Sequence, residues 1–370
     1  MRIGIPRESK EGERRVGLDP GAVRALALDG HEVRVASGAG RGIGAGDDAY
    51  AAAGAAIVDP AEAWKAGLVV KVKEVLPGEW PGLAADTAVF GFQQLVGAPE
   101  RARGLAARGV TAIAYELVRD RDGAFPMLAP MSVIAGRLAI QVGAQLLTMP
   151  EGGNGTLLSG CPGADPARVL VLGGGHAGTH AAIVAAGMGA KVTVLTRSAA
   201  TREALAARLG GGVDAGLATP ANIERHALDA DLVVGAVFVP GAPTPKLLPR
   251  SLVARMKPGS VIVDVSIDAG GVAETSRPTS FADPTFVDEG VVHYCVSNMP
   301  SAVARASAAA LSAAALPYVR TLAGKGITRA LADDAGLRAG VLIWRGRIAH
   351  EGIASETGLP WHRLAKEDLA

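Results

Sequence analysis

The sequence is poor in aromatic residues, which make up 4% of it, has only two cysteines, and carries almost no net charge, with 37 Lys and Arg against 36 Asp and Glu. Each shortage excludes something. Cys161 and Cys295 cannot form a disulfide framework and no CxxC pair offers a metal site, so a reducing compartment is the simplest expectation. A formal net charge of +1 leaves no basic face for nucleic acid or an anionic membrane, although a few local cations could hold an anionic substrate. No charge-free run of about twenty apolar residues appears. The apolar stretch at the amino terminus is too short for a signal peptide and is followed at once by charges. A soluble, cytoplasmic protein is expected.

Half of the 370 residues are hydrophobic, enough to bury a sizeable core, and the length suits two domains of roughly 100–200 residues each. Strand-like segments at 2–5, 32–36, 68–73, 89–92 and 111–114 alternate with helical ones at 20–29 and 48–53. A helix over 132–147 follows, carrying the small residues Ala135, Gly136, Ala139 and Gly143, and then a turn-rich stretch over 151–155. A second series of strands is expected at 168–172, 191–195, 232–236, 261–265 and 291–295. An alanine-rich helix over 302–316 should stop at Pro317, and 341–348 reads as a small hairpin around Arg345-Gly346. Strands alternating with helices imply an α/β fold of βαβ units with mostly parallel sheets.

The segment Gly173-Gly174-Gly175-His176-Ala177-Gly178 has the GxGxxG spacing, a weak signal alone. Here it follows an apolar strand, opens a helix at 179–186 and precedes a second strand at 192–195. Gly173 permits the tight turn, Gly175 lets the backbone approach a pyrophosphate, and Gly178 lets the helix sit close to the strand. The helix start then offers N–H groups and a positive dipole end to the phosphates. An acidic residue after the second strand would bond the adenosine ribose and favour NAD. The strand ends instead in Leu195-Thr196-Arg197-Ser198, where Arg197 and the Ser198 hydroxyl suit a 2′-phosphate. That favours NADP over NAD; the alternative is that Arg197 is simply solvated and either cofactor binds.

Ligands of open α/β sheets lie beyond the carboxyl ends of strands. Two polar clusters occupy such places. Asp268 ends the strand in which Asp264 reads as structural, and Asn298 follows Val292-His293-Tyr294. Lys71 and Lys73, on one face of their strand by period two, and Arg15 are candidate binders of a substrate carboxylate, or else surface charges.

Taken in order, Ile3-Gly4-Ile5-Pro6-Arg7-Glu8, Glu13-Arg14-Arg15-Val16, Gly38-Ala39-Gly40, Lys71-Val72-Lys73-Glu74, Pro130-Met131-Ser132, Gly173 to Gly178, Pro258-Gly259-Ser260 and Asn298-Met299-Pro300 resemble the alanine dehydrogenase family, which is related to the soluble domain of nicotinamide nucleotide transhydrogenase. The resemblance covers nearly the whole chain. It implies two Rossmann-like domains, a substrate domain from 1–128 plus 306–370 with a dinucleotide domain, 129–305, inserted in it. It also implies an interdomain cleft and a homo-oligomer, a hexamer or a dimer. The implied activity is an NAD(P)-dependent amino-acid dehydrogenase or imine reductase that interconverts a 2-oxo or 2-imino acid and an L-amino acid. Residue by residue, it implies Arg15, Lys73, Met131 and Asn298 at the substrate. Ser132, Gly173, Gly175, His176, Ala177, Gly178, Thr196, Arg197, Ser198, Val239, Asp268, Asn298 and Met299 would lie at the cofactor. Lys73 and Asp268 would carry the chemistry.

This chain departs from the family pattern in two places. Thr196 stands where the family has its acidic residue. In Phe92-Gln93-Gln94-Leu95, Gln94 takes the position of the catalytic histidine in a Tyr-Leu-His-Leu-like segment. A carboxamide donates hydrogen bonds but does not titrate. Lys73 or Asp268 with a bound water, or a substrate needing less help, would compensate. Two other functions stay open: a deaminase that recycles a bound cofactor, and a catalytically silent nucleotide binder.

Overall fold

The computed structural model describes residues 1–239 and 243–369. The chain divides into two compact units, Met1–Met131 with Ser301–Ala370, and Ser132–Pro300. The division falls a few residues from the 128/129 and 305/306 limits suggested by sequence. It lies inside the helix Leu128–Leu146, which starts a turn earlier than expected because the Ala129 N–H already bonds the Phe125 carbonyl.

The first unit contributes β1 (Arg2–Ile5), β2 (Glu32–Ala36), β3 (Ala56–Val58), β4 (Leu68–Val70), β5 (Ala88–Gly91) and β6 (Thr111–Ala114). The second holds β7 (Arg168–Leu172), β8 (Lys191–Thr196), β9 (Val213–Leu217), β10 (Leu232–Gly235), β11 (Val261–Asp264), β12 (Thr285–Asp288) and β13 (Val291–Tyr294). The carboxyl-terminal segment returns β14 (Val341–Trp344) and β15 (Arg347–Ile348) to the first sheet. The orders are β15-β14-β6-β5-β4-β1-β2-β3 and β12-β13-β11-β10-β7-β8-β9. All neighbours are parallel except those made by β12, β14 and β15. Each sheet therefore starts in its middle, runs outward on one side and returns to the other, the Rossmann order. The reversals fall between β1 and β4 and between β7 and β10. β4, β5, β6, β10, β11 and β13 are buried at every position, which is why they read as unbroken apolar runs.

Three expectations need correction. β4 stops at Val70 rather than running to 73: backbone bonds to the β5 segment continue through Lys71 and Val72, but the amides of Val72 and Lys73 go to the Glu8 carboxylate at 2.6 and 3.3 Å instead of to a neighbouring strand. Lys71 and Lys73 therefore lie beyond the strand, and strand periodicity does not set where they point. Pro317 does not end its helix, which runs Ala304–Lys325. One lost backbone donor is outweighed by the buried stripe Ala308, Leu311, Ala315, Val319 and Leu322 and by the Asp19 amide bonded to the Ser312 hydroxyl at 2.9 Å. β3, β9 and β12, short and partly exposed, were not anticipated. The 341–348 hairpin forms as expected, with Arg345 and Gly346 at φ of 46° and 81°.

Candidate active site

The glycine turn of the second unit sits at the carboxyl end of β7, beside the reversal. Gly173, at φ 110°, donates its N–H to Leu195 at 2.8 Å, and a Cβ there would stand 2.3 Å from the Ala236 carbonyl oxygen beyond β10. A Cβ on Gly178 would stand 1.8 Å from the Gly173 oxygen, so helix and strand approach as only glycine allows. Gly175 is different: nothing lies within 4 Å of its Cβ direction. It is the N-cap of the helix His176–Gly187 and gives it no side-chain cap, so the first-turn N–H groups of His176, Ala177 and Gly178 open onto that space. An open cradle lined by helix N-terminal donors fits the pyrophosphate of a dinucleotide. The helix bearing Ser132 passes close by, since a Cβ on Gly136, one turn on, would meet the Ala177 carbonyl at 2.0 Å.

At the end of β8, Thr196 is buried and packs toward the turn, whereas Arg197 and Ser198 are exposed. The Ser198 oxygen accepts the Thr201 N–H at 3.3 Å and caps the next helix, leaving its proton to donate. Beyond β10, the Val237 amide and carbonyl bond the Ser266 hydroxyl at 2.8 and 2.9 Å, and Val239 is half-buried. Asp264 is buried and structural: it accepts from Ser266 and Val272 amides and from the Ser276 hydroxyl at 3.1, 2.8 and 2.7 Å, and burial pushes its carboxyl up. Asp268 is exposed at the carboxyl edge of β11. After β13, Asn298 stands in a left-handed conformation, φ 61°, and Met299 is buried. His293 is a core residue, bonded to the Thr275 hydroxyl at 2.8 Å and the Val291 carbonyl at 2.9 Å and stacked on Phe286. A concavity of about 550 Å³ lies at the opposite, amino edge of the sheet, among Arg168, Lys191, Asp214, Arg225 and His226; it holds none of the expected site residues.

In the first unit, the same rule of the reversed sheet selects Arg15 and Lys73, which follow β1 and β4. Both are buried. The Arg15 guanidinium is forked by the two Glu13 oxygens, Nε at 2.8 Å and Nη2 at 2.6 Å, and its Nη1 reaches the Met131 sulfur at 3.1 Å. Arg15 and Met131 are thus brought together. Lys71 is instead a structural cation, held by Glu79 at 2.8 and 2.9 Å and Glu8 at 3.6 Å. Gln94, after β5, has an exposed side chain and a left-handed backbone, φ 45°. That conformation is held from both sides: its N–H donates to Glu116 at 2.7 Å, and its carbonyl accepts from Arg101 at 2.5 Å. Glu116 also takes the Gln93 N–H at 3.2 Å, and Lys73 acts on it electrostatically.

Sequence reasoning missed the buried acids Glu8, Glu13, Glu74 and Glu116. Glu74 bonds Lys10 at 2.6 Å and Arg101 at 3.1 Å, and although burial pushes its carboxyl up, Lys10 and Lys73 bring it below the ordinary range. The available signal was position: each acid ends or follows an apolar strand or stands next to a basic residue.

The family model described as "Alanine dehydrogenase/PNT, N-terminal domain" matches residues 4–135, and "Alanine dehydrogenase/PNT, C-terminal domain" matches 139–351. An alanine dehydrogenase of Halomonas elongata is 46% identical over 367 residues, covering 99% of both chains. One of Bacillus subtilis is 45% identical, covering 97% of this chain and 95% of its own. A solved L-alanine dehydrogenase superposes with a TM-score of 0.93 at 43% identity over the whole of both chains. A transhydrogenase from Sinorhizobium meliloti shares the fold, with a TM-score of 0.84 at 24% identity over 94% of this chain and all of its own.

Proposed function

We propose, for a chain that belongs to the alanine dehydrogenase/PNT family, that it is a nicotinamide-dependent oxidoreductase acting on CH–NH2 groups, interconverting L-alanine with pyruvate and ammonia. One observation carries the reading. Both sheets reverse in Rossmann order; the loops at one reversal carry buried cations, and the turn at the other leaves open space over a helix start that suits a pyrophosphate.

Arg15 binds the substrate carboxylate with its guanidinium plane fixed by Glu13, and Met131 packs beside it. Lys73 holds the substrate oxygen and offsets its developing charge. Asp268 handles protons or ammonia, and Asn298 orients the substrate. The N–H groups around Gly175 hold the pyrophosphate, with Ser132, Val239 and Met299 along the rest of the cofactor. When bound, that cofactor supplies or accepts the hydride at the α-carbon. Thr196 cannot repel a 2′-phosphate and Arg197 can pair with one, which supports use of NADP alongside or ahead of NAD. A homo-oligomer, hexamer or dimer, in the cytoplasm completes the reading, with a domain boundary near 128/129 and 305/306.

The test is oxidation of NADH and NADPH by the purified protein with pyruvate and ammonia, beside a panel of larger 2-oxo acids. Turnover with no oxo acid refutes the dehydrogenase assignment. Gln94 is the specific observation behind a second reading, a nucleotide-binding member without turnover; tight dinucleotide binding with no activity on any panel member would establish it.

A further inference from the structure

Arg15, the proposed carboxylate binder, stands in a loop over residues 10–16 that belongs to neither helix nor strand, so no ladder fixes it. Its local order comes from one turn, in which the Glu13 N–H bonds the Lys10 carbonyl at 3.0 Å with Gly12 at φ 74°. Glu13 then sets the guanidinium. One of its oxygens accepts both the Arg15 N–H and Nε–H at 2.8 Å, and the other accepts Nη2 at 2.6 Å. That fork takes the Nε edge of the group, while Nη1 meets the weak acceptor sulfur of Met131. A carboxylate is a stronger acceptor than a thioether and matches a guanidinium edge in two parallel bonds, provided the plane is held.

What holds the loop comes from far along the chain. Ser301 lies in the short 3-10 helix Met299–Val303 and is fully buried. Its oxygen accepts the Arg14 N–H at 3.1 Å, its proton goes to the Gly12 carbonyl at 2.6 Å, and Glu13 Oε1 stands 3.4 Å away. One hydroxyl thus bonds the residues on either side of Glu13. Met131 and Ser301 are also the residues at which the chain leaves and re-enters the first unit. Resting on the dehydrogenase reading above, we propose that Ser301 is a positioning residue for substrate binding: it acts through Glu13 to hold the Arg15 plane in line with the substrate carboxylate. Without the hydroxyl, the Arg14 N–H and the Gly12 carbonyl lose their shared partner, and Glu13 shifts with the backbone that carries it. The arginine keeps its charge and its fork but loses its aim. Two parallel bonds to a carboxylate depend on that aim, whereas the point charge of an ammonium does not. Ser301 thereby contributes to the affinity for a 2-oxo or 2-amino acid without touching it.

The experiment compares the wild type, Ser301→Ala, Arg15→Lys and the double variant. Calorimetry gives the dissociation constant of pyruvate for the NADH-bound protein without ammonia, fluorescence that of NADH, and steady-state kinetics KM and kcat for pyruvate with ammonia. Ser301→Ala should weaken pyruvate binding and raise its KM roughly tenfold, with kcat within about threefold and NADH binding within about twofold. In the Arg15→Lys background the same change should cost less than about twofold, because no guanidinium plane is left to orient. If Ser301→Ala does not fold, Ser301→Cys, close in size but a weaker donor and acceptor, should lose about threefold in pyruvate affinity by the same route. Unchanged pyruvate binding, an equal loss in the Arg15→Lys background, or a parallel loss of NADH affinity overturns the role of Ser301 and leaves the dehydrogenase reading intact. A wild type that binds NADH but neither binds nor reduces any 2-oxo acid overturns that reading, and this role with it.

Discussion

Replacing Gly175 and Gly178 by alanine, one at a time, separates a cofactor cradle from a merely tight turn. At Gly178 the added carbon would lie 1.8 Å from the Gly173 carbonyl oxygen and 3.2 Å from a Val171 methyl, so the helix must move outward by roughly 1.6 Å to regain ordinary contact. Overpacking of that kind costs about 1–3 kcal/mol. In a unit of about 170 residues this lowers Tm by roughly 2–12 °C. At Gly175 the backbone stands at φ −76° and ψ −167°, which alanine adopts freely, and nothing lies within 4 Å. Stability is then unchanged, or raised by up to about 1 kcal/mol through the unfolded chain. Its methyl would, however, occupy the approach of the pyrophosphate. Losing one charge-assisted hydrogen bond costs about 1.5–3 kcal/mol, roughly a 10- to 150-fold rise in Kd. Calorimetric Tm and fluorescence titration with NADH and NADPH read the two effects independently. If Gly175→Ala binds both dinucleotides like the wild type, the pyrophosphate does not lie where this turn places it.

Further outcomes follow from single residues. Gln93 is fully buried with neither carboxamide atom partnered, so Gln93→Leu should raise the midpoint of urea unfolding by the equivalent of about 1–3 kcal/mol; a lower midpoint contradicts this. Arg197→Ala should reduce kcat/KM for NADPH about tenfold and leave NADH untouched, and an equal loss for both removes the 2′-phosphate argument. Burial holds His293 below the usual imidazole range, so the unfolded chain takes up a proton that the folded one resists. Thermal stability should therefore decline as pH falls below about 6.5, and His293→Gln should flatten that decline if His293 is its source. Gln94→His should raise kcat for pyruvate and ammonia about 10²-fold, and an unchanged kcat would show that proton transfer at this position does not limit the wild type.

The glycine turn was legible because its geometry is local: strand, turn and helix occupy adjacent residues, and each glycine answers a contact made within or beside the motif. The strands at both reversals were equally visible, since burial on both faces leaves no polar alternation to confuse them. Arg15 and Lys73 were found as cations, but not what holds them. Glu8 reaches the amides of Val72 and Lys73, Glu116 those of Gln93 and Gln94, and Lys10 reaches Glu74; each bond joins positions 22 to 65 residues apart, and no local spacing encodes that. Pro317 misled for the converse reason. Its local rule was sound, but the helix is fixed by a long buried stripe and one missing amide bond does not undo it.

One edge of the first sheet comes from a segment far downstream of its other strands. β14 pairs with β6, Val341 opposite Ile113, and about 170 residues of the second unit are synthesised between them. At roughly 5–20 residues per second, β6 waits about 10–40 s on the ribosome with an unpaired parallel edge rich in apolar side chains. The second unit, contiguous in sequence, can close in that interval. The β6 edge stays open until β14 reaches it, so lesions that slow the closing of the second unit should appear as aggregation through β6.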